Sequence, residues 1–177
     1  MGPVFLFTTL SLIAMLASLS TAFSESMIRC KVCDRAIAHI WNQGVALRTH
    51  CKAHGTDPRC DITNVHQRGI REMVEDICDD LPKTHQALLD SQFELIEHDE
   101  PQHAPEIIEA IRSACVKWVH KRHTVDMVTR IIFANLDAGK TTKTILHALQ
   151  RRFCDAACNS VERDDAEEEQ SMKGGDL

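Results

Sequence analysis

Two short cysteine pairs near opposite ends of the chain most constrain what it can fold into. The first is the C-x-x-C of "MIRCKVCDRAIAHIW", Cys30 and Cys33; the second closes "FCDAAC", Cys154 and Cys158. Residues three or four apart on an α-helix share a face. Each pair therefore presents two sulfurs on one side of a helix, roughly 4.5 Å apart along the axis for the first pair. If the first and last helices run antiparallel, forward on one is backward on the other. The rungs that satisfy both spacings are Cys30–Cys158 and Cys33–Cys154.

Bond formation depends on compartment, and the N-terminus bears on that. From Pro3 to Ala22 the chain is apolar and uncharged, and it ends Ser20-Thr21-Ala22. Small residues at these positions fit a secretory signal peptide over 1–22, cut after Ala22. A signal anchor is the alternative, since about 20 apolar residues span a bilayer; the Thr and Ser residues of its later half favour removal. All eight cysteines follow this segment, and an even count in an exported chain reads first as a disulfide framework. Tyrosine is absent and aromatics make up 5% of the chain, so covalent staples would supplement a core poor in large rings.

Apolar residues recur at helical spacing through the body, which is expected to be all-α. Helix one is expected over about Met27–Leu47, with Cys30, Cys33, Ile37, Ile40, Trp41 and Gly44 on one face. A loop, "RTHCKAHGTDPRCDITN", follows. Helix two is expected over about Asn64–Leu81, stopped by Pro82. The polar stretch from Lys83 to Ala104 fits a short helix or a small hairpin. Pro105 is suited to the first position of helix three, whose inner face carries Ile107, Ile111, Cys115 and Val119. Thr124 opens a further segment that breaks at "DAGK", where Gly139 reads as a helix stop, and resumes through Leu149, Phe153 and Cys154.

Cys78 and Cys115 then fall on the inner faces of helices two and three, where a bond closes a helical hairpin worth about 4 kcal/mol in chain entropy. Cys51 and Cys60 flank a Gly-Thr-Asp-Pro turn, and their bond closes a local loop worth roughly 2 to 3 kcal/mol. Helix geometry selects this set from 105 possible pairings.

The cysteine order resembles the saposin B-type helical domain, whose bonds pair outermost with outermost and middle with middle. More narrowly, "CKVCDRAIAHI", "IREMVEDICDDL", "IRSACVKWV" and "FCDAAC" are similar to the canopy family of endoplasmic-reticulum proteins. The likeness spans Cys30 to Cys158 and takes in six of the eight cysteines. Cys51 and Cys60 add a pair beyond that pattern, and Gly174-Gly175-Asp176-Leu177 stands where the family commonly carries a retention tetrapeptide. The resemblance implies a saposin-like bundle of four to five helices over residues 23–160, stapled by nested disulfides with one disulfide-closed loop. It also implies a non-enzymatic adaptor or co-chaperone in the endoplasmic-reticulum lumen, or a secreted one if the C-terminus is no retention signal. Its partners would be client proteins or a chaperone, with no cofactor.

Other readings of these residues compete. Saposin-like helices open around lipid, in which case Trp41 and Trp118 would line an apolar groove; core packing is the plainer role for both. A redox-active Cys30–Cys33 couple would make a thiol oxidoreductase, but no strand precedes Cys30 as a thioredoxin-like site requires. His50, Cys51, His54 and Cys60 offer a Cys₂His₂ set for zinc, and His120 and His123 lie one turn apart. In an oxidised chain, bonding of Cys51 to Cys60 removes the first set, and no metal is expected. "ANLDAGKTTKT" is a broken P-loop, with Ala134 where the first glycine belongs. Pairs such as Glu75/Asp79 read as a solvated face. The net charge of −6 is concentrated in residues 161–177, which hold seven acids against two bases and read as a disordered acidic tail. A near-neutral body gives no electrostatic case for nucleic acid, and no second segment is apolar enough to span a membrane.

Overall fold

The structure, a computed structural model, describes residues 25–60, 66–89 and 93–159. The expected leader at 1–22 and the acidic segment 161–177 lie outside the described residues. Five helices and one hairpin make up the described chain: α1 (Glu25–Ala53), α2 (Gln67–Thr84), β1 (His85–Leu89), β2 (Phe93–Glu97), α3 (Pro105–Cys115), α4 (Val125–Asp137) and α5 (Lys143–Asn159). It is an all-α disulfide-stapled bundle with one small two-stranded appendage. No described helix is long and apolar enough to cross a membrane.

The first helix is the axis of the molecule, packing against α2, α3, α4, α5 and β2. It can do so because its buried residues cover more than one stripe: Val32, Ala36 and Ile40 as well as Cys33, Ile37 and Trp41. Gly44 permits the closest approach. A Cβ built there would stand 2.5 Å from Leu136 Cδ1 of α4 and 3.2 Å from Ile70 Cδ1 of α2. The helix also runs six residues beyond the expected end at Leu47, to Ala53. Leu47 and Cys51 are both buried, so the inward face of Gly44 continues in register, and Cys51 belongs to a helix rather than a loop.

Pro82 does not stop α2. It lies inside the helix, buried, with the helix ending two residues later at Thr84. The ring removes the one backbone donor that would have reached Cys78 O, while the turn beyond it stays closed. Thr84 Oγ1 donates to Asp80 O at 3.0 Å, and the His85 N–H reaches Leu81 O. At the other end the helix begins at Gln67 rather than near Asn64, and His66 caps it: its Nδ1 accepts from the Arg68 N–H at 3.0 Å.

The polar stretch after α2 takes the hairpin form. His85 pairs with Glu97 and Leu89 with Phe93 in antiparallel register. Phe93 and Leu95 alternate inward around exposed Glu94, the period-2 pattern of a half-buried strand. Helix α3 begins at Pro105 as expected and passes into a π-helical turn over Val116–Lys121. Thr124 caps α4, accepting from the Met127 N–H at 3.3 Å. Gly139 ends that helix in the left-handed region with φ of 73°.

Four disulfides join these elements. Cys30–Cys158 and Cys33–Cys154 tie α1 to α5, Cys78–Cys115 ties α2 to α3, and Cys51–Cys60 closes the loop after α1. The first two pairs span sequence separations of 128 and 121. Either bond alone stabilises by about 5 kcal/mol in the chain-entropy account. Once one is closed, the other adds only the small ring made by 30–33 and 154–158, worth about 2–3 kcal/mol.

Candidate functional site

The double rung between α1 and α5 concentrates the reactive chemistry of the molecule. Its two bonds differ in surroundings. The inner one is sealed, with Cys33 at 0% and Cys154 at 1% exposure. The outer one, Cys30–Cys158, is half-buried at both residues. Asp34 follows the C-x-x-C directly and stands four residues after Cys30, hence on the same helical face. One of its carboxylate oxygens and the sulfurs of Cys30 and Cys158 lie within 4.8 Å of one another. A surface cavity of about 250 Å³ opens here, its wall including Asp34, His147, Gln150, Arg151, Asp155 and Cys158. Burial raises the Asp34 pKa above the ordinary carboxylate value, against the opposing pull of Lys31, Arg35 and His147. Gln150 Nε2 donates to Asp34 O at 3.2 Å and fixes α5 against this turn of α1.

The other candidate ligand sets do not converge. Cys51 and Cys60 are bonded to each other, which removes both thiolates from the Cys₂His₂ set. His50 and His54 stack on one another with ring centroids 5.0 Å apart. The loop is held instead by Asp57, which accepts from Arg59 Nη2 at 2.8 Å and from the Arg59 backbone at 2.8 Å. Those bonds hold its carboxyl well below the usual range. His120 Nε2 donates to Val74 O at 2.7 Å and His123 Nε2 to Phe153 O at 2.8 Å. The two rings therefore stitch different helices, and their donor nitrogens are taken up by backbone. Glu75 and Asp79 sit on the solvated face in separate ion pairs, with Arg71 and Arg112.

The two tryptophans part company. Trp41 is 2% exposed and belongs to the core, so it contacts no groove in this closed arrangement. Trp118, on the π-helical turn, is half-buried. Its ring lies 5.4 Å from the Arg29 guanidinium carbon and 5.6 Å from Lys117 Nζ, within cation–π range. Its Nε1 is buried without a hydrogen-bond partner among the described residues. A recess of about 200 Å³ beside it has Ile28, Ala110 and Ala114 in its wall.

No family model, no curated protein and no solved structure matches this chain. The likeness to saposin B-type and canopy proteins therefore rests on the cysteine order and motifs quoted above.

A second polar cluster escapes sequence reasoning altogether. His85, 5% exposed at the start of β1, meets His39 of α1 edge to face with ring centroids 5.3 Å apart. Thr84 Oγ1 lies 2.9 Å from His85 Nδ1, and the Gln43 amide lies 2.6 Å from His39 Nε2. Burial first, then the neighbouring His39, pushes the His85 pKa down to about 4, against the pull of Glu97. His39 is lowered too, again chiefly by burial. Nothing in the spacing of these histidines marks them for burial. Asp34 is likewise missed from the sequence, although its place four residues after Cys30, on the same helix face, is a signal that could have found it.

Proposed function

We propose that the chain is a non-enzymatic adaptor or co-chaperone of the secretory pathway, assisting maturation of client membrane or secreted proteins in the endoplasmic-reticulum lumen or after secretion. The observation that carries this reading is the use of the cysteines. All eight are consumed in four bonds, and three of those bonds join one helix to another. Such a framework belongs to an oxidising compartment. It holds the helices in register and leaves charged outer faces, such as the Arg71, Glu75 and Asp126 cluster across α2 and α4, for partner contact. The canopy-like motifs point the same way. The test is loss of the protein from a producing cell, followed by pulse-chase of secretory glycoproteins. Slower exit of a defined client set, restored by the wild-type chain, is the expected result; unchanged maturation across the secretome contradicts it.

A saposin-type lipid-binding protein is the second reading, favoured by Trp118 between two cations at the edge of an apolar-walled recess. Flotation with anionic vesicles from pH 4.5 to 7.5 separates the two. Binding that strengthens toward low pH supports lipid, and its absence throughout that range removes this reading.

A further inference from the structure

We propose that the outer rung, Cys30–Cys158, is a thiol-exchange site that captures cysteine thiols of other molecules as mixed disulfides, with Asp34 as proton donor to the departing sulfur. The inference goes beyond the adaptor reading and does not depend on it.

Three features single this bond out. It is the half-buried member of the pair, whereas every cysteine of the inner rung and of Cys78–Cys115 is at most 3% exposed. Its loss leaves the fold clasped, because Cys33–Cys154 still joins the same two helices. Among the described residues it alone has a carboxylate within 4.8 Å of both its sulfurs. The Cys51–Cys60 bond is also accessible, through Cys60, but has no such neighbour among the described residues.

The geometry also assigns direction. Cys158 lines the cavity together with Arg151 and His147, beside Asp34, Asp155 and the buried Cys154, so an incoming thiolate passes the Arg151 guanidinium to reach the more accessible Cys158. Asp34 sits on the helix of Cys30. Attack of R–S⁻ on Cys158 Sγ forms the R–S–S–Cys158 bond and breaks the Cys30–Cys158 bond, the electron pair going to Cys30. A protonated Asp34 then transfers its proton to the Cys30 thiolate and is reprotonated from solvent, which received the proton of the original R–SH. No separate oxidant is required, because the cleaved disulfide is the electron acceptor. In reverse, Asp34 takes the proton back, and Cys30 attacks Cys158 to release the captured thiol. The elevated Asp34 pKa keeps more of this acid protonated than an exposed aspartate would be.

The shared chemistry is a cysteine thiolate, which a small peptide thiol or an unfolded polypeptide can supply. The test exposes the oxidised full-length chain to glutathione in one arm and to a reduced, single-cysteine unfolded protein in the other, followed by alkylation and peptide mapping. In at least one arm the first adduct is expected on Cys158 with Cys30 alkylated; which arm reacts identifies the source. The Asp34→Asn variant, with an unchanged melting temperature, is expected to form the adduct on the order of tenfold more slowly at pH 6, with Asp34→Glu restoring part of the rate. Adduct formation first at Cys60, no adduct in either arm, or an Asp34→Asn rate equal to or above wild type overturns the proposal. Mapping of the wild-type chain decides the site even if the variants do not fold.

Discussion

Helix α1 is held along two of its sides by opposite chemistry. Toward α5 it is joined by two disulfides around Cys33, Cys154, Phe153 and Ala157, all buried. Toward the β1–β2 hairpin there is no covalent bond. Phe93 and Leu95 supply the apolar contact, and the polar part is the ring pair of half-buried His39 and buried His85. The hairpin is tied in turn to the segment before α3 by Gln86, whose Nε2 donates to Gln102 O at 2.9 Å and whose Oε1 accepts from the Gln102 N–H at 2.7 Å. The first seam is held by bonds that do not titrate and yields to reductant. The second is indifferent to reductant and contains groups that titrate. One scaffold thus carries a rigid edge and an edge whose strength depends on its surroundings.

The largest effect should come from removing both rungs. With Cys30, Cys33, Cys154 and Cys158 all changed to Ser, the chain-entropy account removes about 7–8 kcal/mol, comparable to the whole stability of a domain. Chemical denaturation should then show no folded baseline at 37 °C. The single rungs sharpen the contrast. Removing the outer pair should cost about 2–3 kcal/mol. Removing the inner pair should cost more, because each buried hydroxyl left without a partner adds about 1–3 kcal/mol.

The second seam should respond to pH instead. His85 has a folded pKa of about 4 against an ordinary value of 6.5, so the unfolded chain binds more protons between those values. Stability is therefore lost as pH falls through 6.5, and the loss levels off below about 4 at roughly 3 kcal/mol. His39, also lowered, acts in the same direction. Asp34, being raised, acts in the opposite one. Urea midpoints from pH 7 to 4 measure the sum, and His85→Gln should flatten the curve while leaving its sensitivity to reductant unchanged. Gln86→Ala should cost about 1–2 kcal/mol for two lost bonds, seen as faster amide exchange in β1. Arg112→Ala, at an exposed pair with Asp79, should cost less than about 1 kcal/mol and less still in high salt.

The two seams were unequally legible in the sequence. Cysteines at three- and four-residue spacing carry their geometry with them, so the α1–α5 ladder follows from helical periodicity. The same rule extends α1: Gly44, Leu47 and Cys51 share a face, and only the turn-like "RTHCKAHG" argues for an earlier end. The hairpin was harder, because a single alternation in "FELIE" competes with the helical signal on both sides. Pro82 misleads for a local reason, since a proline in the last turn removes a donor where few bonds follow. Burial of His85 is set wholly by tertiary contact with His39, and no residue pattern announces it.

The central claim is that the opening C-x-x-C is divided between two bonds to α5. Digestion of unreduced protein at Arg and Lys cuts after Arg29, Lys31 and Arg35, and cleavage before aspartate separates Cys154 from Cys158. Mass spectrometry should then find Cys30-Lys31 linked to the Cys158 fragment and Val32-Cys33 linked to Phe153-Cys154. A Cys30-Lys31 fragment linked to Val32-Cys33 would contradict the account.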